Sequence, residues 1–167
     1  QRGKFSFGPG YEVLSGNNTV SPSGRDNRFD PLYGTPHKHW GYMDFFYVGT
    51  GSPVGGLKNA FFKTKYALNP NLFLTADVHN FALAAPVRNG LDVNGGQLPN
   101  QLGTEIDLLL NYNLSKFVNV ELGYSYLQAT NSLEYTKTGT MDKTRHRANW
   151  AYLMLNIKPD FFAKTGK

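Results

Sequence analysis

The 167-residue sequence has no cysteine, few charged residues and no long apolar run. The absence of cysteine excludes disulfide frameworks, thiolate metal sites and cysteine nucleophiles. Charged residues make up 17% of the chain, against about 25% in an ordinary soluble domain. No apolar run approaches the roughly 18 residues that a transmembrane helix needs, which excludes helical membrane spans.

The sequence also lacks a signal peptide and a strong charge bias. The first residues, QRGKF, have no apolar core like that of a secretory signal peptide, so we expect a processed chain or a fragment. The net charge of +5 is small and its cations are scattered, which argues against a nucleic-acid partner.

Aromatic residues, in contrast, are abundant. They make up 14% of the chain, with 10 Tyr and 12 Phe, and yet the mean hydropathy is −0.42. A chain that is rich in aromatics, poor in charge and polar on average is typical of a transmembrane β-barrel, because only alternate residues face lipid.

Apolar and polar residues alternate with a period of two through most of the chain. The pattern is clearest from Asn119, where Val120, Leu122 and Tyr124 alternate with polar or small residues. It predicts six strands, several of them close to the roughly 9–11 residues that a tilted strand needs to cross a bilayer. The predicted strands are 4–14, 57–68, 72–84, 104–113, 118–135 and 148–158.

The connections between these strands predict the topology. Short turns at 69–71 and 114–116 alternate with long polar segments at about 15–55, 87–102 and 137–146, and outer-membrane barrels have short periplasmic turns and long external loops. Six strands are fewer than the roughly eight of the smallest single-chain barrels. We therefore expect an all-β fold, with 1–167 forming one antiparallel transmembrane segment of a larger barrel or of an assembly of copies.

The aromatic segment HWGYMDFFYV at 39–48 resembles a further strand. Counting it as a membrane span would, however, place both short turns outside the cell. We therefore interpret it as part of a long external loop that folds over or into the pore.

Two motifs, FDPLYGTPHK at 29–38 and GYMDFFYVG at 41–49, resemble the alginate-export family of outer-membrane barrels, in its Bacteroidetes-type versions. Four further segments resemble that family's C-terminal part in the expected order: GYEVLSGN precedes the two motifs, and LGTEIDL, LGYSYL and NWAYLML follow them. The resemblance implies a barrel of about eighteen strands, an aqueous lumen and passage of an anionic polysaccharide or related solute. The family's N-terminal two-thirds has no counterpart here, and residues 163–167 follow Phe162, where such proteins often end.

A conduit for a polymer of acidic sugars needs cations in its lumen, and Arg can hold a carboxylate through two hydrogen bonds. The inward-facing strand candidates are Lys4, Lys63, Lys65 and Lys158. The loop candidates are Arg25, Arg28, Lys38, Arg88, Arg145 and Arg147. The alternative for the loop cations is that they bind lipopolysaccharide phosphates or keep the loops solvated.

Acidic and aromatic residues are also expected along this pathway. Five carboxylates share the inward face and are expected to form a ladder of cross-strand ion pairs with the strand lysines, which makes the lumen mixed in sign. They are Glu12, Asp77, Glu105, Asp107 and Glu121. In the loop, Trp40, Tyr42 and Tyr47 either stack on a sugar or pack the loop onto the lumen wall.

We expect neither catalysis nor a cofactor. His79 near Asp77 would suit a hydrolase, but no serine lies in a Gly-x-Ser-x-Gly context. His37, His39 and Asp44 lack a fourth metal ligand at typical spacing, and no calcium-binding loop pattern is present around 26–30.

The sequence therefore predicts a channel of the bacterial outer membrane that passes a polar, anionic solute or polysaccharide by passive diffusion. The expected partners are outer-membrane lipid, lipopolysaccharide, the solute, and the rest of a larger barrel or further copies of the chain. One alternative is a structural or adhesive barrel whose external loops bind partners. Another is a soluble lipocalin-like protein.

Overall fold

A computed structural model of the protein describes residues 4–31, 37–47, 53–141 and 146–159. Six antiparallel strands form one sheet in which every strand pairs with its neighbours in sequence. The sheet is not closed, and β1 and β6 are its two edges. The expectation of an antiparallel all-β fold is confirmed. The elements are β1 (Phe5–Leu14), β2 (Leu57–Asn69), β3 (Leu72–Ala82), β4 (Gln101–Asn113), β5 (Val118–Ala129), α1 (Asn131–Thr138) and β6 (Arg147–Ile157).

The prediction of one strand over 118–135 is wrong at its C-terminal end. The strand ends at Ala129, and α1 follows it. Thr130 is extended, with φ −116° and ψ 168°, and its hydroxyl oxygen accepts a hydrogen bond from the Leu133 N–H at 3.3 Å. This N-cap starts the helix, and Gly139, with φ 75°, ends it. Helix α1 therefore also takes the first residues of the predicted 137–146 loop.

The two faces of the sheet differ in chemistry, as the alternation predicts. In the polar face, Lys63 pairs with Asp77, which pairs with Asp107 on the next strand. In the apolar face, Phe62 pairs with Val78, which pairs with Ile106. The apolar face is open to its surroundings over all six strands, through side chains that include Phe7, Phe62, Tyr66, Val78, Ile106, Leu108, Leu122, Leu153 and Leu155.

The two ends of the sheet differ in the length of their connections. The connections 70–71 and 114–117 lie at one end, here called the turn end. The connections 15–56, 83–100 and 130–146 lie at the other, here called the loop end. None of the described helices is long and apolar enough to cross a membrane.

A hydrophobic core lies at the loop end, where side chains from the long connections pack on the last residues of the strands. This core orders the described parts of the loops over that end of the sheet. Its members include Trp40, Phe46, Tyr47, Leu57, Phe81, Leu83, Val87, Leu98, Leu102, Leu127 and Leu133.

Candidate functional site

Residues 37–47, here called the inner loop, lie against the polar face of the sheet. The Trp40 indole N–H donates to Glu12 Oε2 at 3.0 Å, which fixes the inner loop to β1. The Met43 backbone N–H donates to Glu105 Oε1 at 2.8 Å, which fixes it to β4. The inner loop contains no strand of the sheet, as expected from the direction of the neighbouring strands. It spans the polar face and covers its middle.

The backbone of the inner loop is unusual, because four of its residues have positive φ. Gly41 has φ 83°, and a Cβ there would lie 2.5 Å from Glu105 Oε1, so only glycine allows this close approach. Lys38, Asp44 and Tyr47 have φ of 63°, 56° and 64°. Such conformations cost of the order of 1–3 kcal/mol each outside glycine. The contacts with the sheet must offset this cost.

Lys38 makes the third contact that attaches the inner loop to the sheet. Its ammonium lies 2.9 Å from Glu121 Oε1 and 3.0 Å from the Tyr152 hydroxyl oxygen. The Tyr152 hydroxyl in turn donates to Glu121. The Tyr152 ring lies across Gly123, where a side chain would collide with it. Lys38 was predicted to contact the solute, but here its charge is matched by the carboxylate of Glu121 on β5.

Tyr42 lies in the inner loop with its ring 4.9 Å from the Lys38 ammonium. Burial raises the pKa of Tyr42 to about 12, and the negative charge of Asp77 adds to this rise. The phenol is therefore neutral at physiological pH, and it contributes hydroxyl chemistry rather than charge to the polar face.

The carboxylates under the inner loop do not form the expected ion-pair ladder. Lys63 approaches Asp77 at 3.8 Å, and this is the one ion pair between strands among the described residues. Lys65 instead lies over the Phe73 ring, 4.7 Å from its centre. Glu105 and Glu121 are instead contacted by the inner loop. The loop thus provides partners for carboxylates that were expected to pair with the strand lysines.

His79 is buried and has a structural environment. Its Nδ1 lies 3.0 Å from the Asn59 side-chain oxygen, and its ring lies between those of Phe61 and Phe81, 5.6 Å from each. This position lends no support to the hydrolase alternative. His37 contacts Asp44, and the described part of the chain contains no group of three or more His, Asp or Glu that could hold a metal ion.

The loop arginines lie away from the inner loop's contacts with the sheet. Arg28 pairs with Asp26 at 2.7 Å on the surface and holds the pKa of that carboxyl well below its usual range. The Arg88 guanidinium donates to the Val20 carbonyl oxygen at 3.2 Å. Arg25 is exposed in the first long connection, and Arg147 begins β6. Arg145 lies outside the described residues.

The strand lysines Lys4, Lys65 and Lys158 lie towards the turn end. Lys65 lines a cleft of about 320 Å³ with Lys63, Thr75 and Asp77. A second cleft of about 320 Å³ contains Lys158 and a group of asparagines. The sequence analysis missed this asparagine group, although asparagine recurs at polar-face positions of β4, β5 and β6.

Comparison with known proteins gives no identification: no family model, curated protein or solved structure matches the chain.

Proposed function

We propose that the sheet is part of a transmembrane β-barrel of the bacterial outer membrane and that it passes a polar, anionic solute or polysaccharide by passive diffusion. The observation that carries this proposal is the contrast between the two faces. Leu153 is 73% exposed and Phe7 is 65% exposed on the apolar face, while the polar face holds charged groups under the inner loop. Soluble monomers rarely expose contiguous apolar patches beyond a few hundred Å².

The open edges of the sheet support a larger assembly. In hydrocarbon, each unsatisfied backbone group costs several kcal/mol, so β1 and β6 require partner strands. These partner strands would come from the rest of a larger barrel or from copies of the chain. The resemblance to the alginate-export family favours the first source and an anionic polysaccharide as solute.

Within such a barrel, the polar face lines the lumen and the inner loop narrows it. The aromatic residues of the inner loop then either stack on a sugar or pack the loop onto the lumen wall. Trp40 and Tyr47 are buried in the loop-end core, which favours packing on the wall over sugar stacking for these two. The solute needs only a polar path, and no covalent chemistry is required.

Single-channel conductance in a planar bilayer tests the proposal. The complete detergent-extracted protein is added to the bilayer, followed by tri-galacturonate on one side and, in a parallel run, by the neutral maltotriose. We expect stable conductance that tri-galacturonate blocks and maltotriose leaves unchanged. Conductance without block would overturn the anionic solute, and no conductance would overturn the channel itself.

A structural or adhesive barrel is the second candidate, and the loop-end core favours it. The core orders the connection 83–100 and α1 into a packed surface over the sheet. In that case the protein would give no conductance, and removing α1 would abolish adhesion of cells that display the protein.

A further inference from the structure

A row of asparagines crosses three strands on the polar face at the turn end. Asn113 pairs with Asn119 across β4 and β5, and Asn119 pairs with Asn156 across β5 and β6. With Asn111, they line the cleft of about 320 Å³. This volume is at the lower end of that of small-molecule sites, which suits one or two sugar units.

The amides of this row are held in order by one another. The Asn119 side-chain nitrogen donates to the Asn113 side-chain oxygen at 3.0 Å, and the Asn156 nitrogen donates to the Asn119 oxygen at 3.4 Å. Each amide has two N–H donors and an oxygen with two lone pairs. Each bond in the row uses one donor and one lone pair. Further donors and acceptors of these cleft-lining amides therefore remain for a ligand, and sugar hydroxyls can both donate to and accept from them.

The charge of the cleft differs from that of the middle of the polar face. Its lining contains Lys116 and Lys158, and none of the described lining residues is acidic. The Lys158 backbone N–H donates to the Phe117 carbonyl oxygen at 2.8 Å, which anchors this lysine beside the connection 114–117. The Lys116 ammonium lies 4.3 Å from the Phe117 ring centre. The cleft therefore combines neutral amides with positive charge.

We infer that this cleft is a binding subsite for an acidic sugar unit, with the asparagine amides on its hydroxyls and Lys158 on its carboxylate. The inference deepens the proposed function and rests on it for the route by which a saccharide reaches the cleft. It places a contact of the solute at the turn end, away from the loop-end core.

Calorimetric titration of the detergent-solubilised full protein with tri-galacturonate tests the subsite. Lys158→Gln removes the charge at an exposed side chain and is expected to weaken binding about tenfold, as for loss of one charge-assisted hydrogen bond. Asn119→Asp keeps the shape of the side chain but adds a negative charge, and we expect it to abolish binding. Lys58→Gln is the matched control, because it makes the same change at the loop end of β2, opposite Val13 and outside the candidate pathway. We expect less than about a twofold effect there.

Three results of the controls would overturn the subsite. Equal weakening of tri-galacturonate binding by Lys58→Gln would indicate general attraction by positive charge. Equally tight binding of maltotriose would remove the role of the carboxylate, and competition by inorganic phosphate would indicate a simple anion site. The proposed function is tested separately: conductance together with binding that Lys158→Gln leaves unchanged would overturn the subsite alone. Binding that depends on Lys158, without conductance, would overturn the channel alone.

Discussion

Replacing Leu108 by arginine tests whether the apolar face meets lipid. Leu108 lies on that face in the middle of the sheet, between Ala76 and Tyr124 on the flanking strands. It is 42% exposed, so an arginine side chain fits there without repacking a core. In water this change would therefore alter the free energy of unfolding little, whereas in hydrocarbon it would lower it.

The depth of Leu108 determines the expected magnitude. Strand β4 ends at Asn113, and a rise of about 3.4 Å per residue with a tilt of about 40° places Leu108 roughly 13 Å from that end. This is about half of an apolar band roughly 25 Å tall, so Leu108 lies near the bilayer midplane. We expect Leu108→Arg to lower the free energy of unfolding by about 2–4 kcal/mol.

Leu114→Arg is the matched control, because Leu114 is 55% exposed in the connection at the turn end, where the bilayer interface would lie. The same substitution should cost only about 0–1 kcal/mol there. Urea unfolding in phospholipid vesicles, followed by tryptophan fluorescence, measures both values. Equal free energies of unfolding for the two variants, or no loss in Leu108→Arg, would refute the assignment of the apolar face to lipid.

Three further predictions concern the loops. Deleting 37–47 should increase single-channel conductance, because the inner loop covers the middle of the polar face; unchanged conductance would show that it does not narrow the pore. Gly41→Ala should loosen the inner loop, because the new Cβ meets Glu105 at a positive φ, at a cost of about 1–2 kcal/mol; faster proteolysis within the loop measures this, and wild-type resistance would contradict it. Asp26 should remain ionised at pH 3, below its ordinary pKa of 3.8, because Arg28 lowers its pKa. The stabilisation by this pair is thus complete above the ordinary value and is lost only as the pH falls through the lower one. Carboxyl carbon NMR shifts should show this, and in Arg28→Gln they should show the pKa of Asp26 moving up towards its ordinary value, while the hydrogen bond from Asn17 still lowers it.

The strands and their faces could be predicted because alternation is a local property of the sequence. Residues such as Phe62 and Lys63 lie on the faces to which their position in the pattern assigns them. Helix α1 was missed because it has only eight residues, and its signals at Thr130 and Gly139 are short beside the long alternating run that precedes it.

The contacts of the site could not be predicted, because they depend on the register between distant segments. That Lys38 meets Glu121 follows from the path of a long connection across the sheet. The asparagine row likewise forms only when Asn113, Asn119 and Asn156 are aligned by strand pairing. Sequence spacing gives each strand's face, but not which residues of different strands become neighbours.

The order of strands in the sheet has a consequence for assembly. Because β2 to β6 pair only with sequence neighbours, they can form as successive hairpins with low contact order, which favours fast folding. The pairing of β1 with β2 instead closes over the long connection 15–56 and carries a larger loop-closure entropy. We therefore expect β1 to join the sheet last, after the polar face that receives the inner loop has formed.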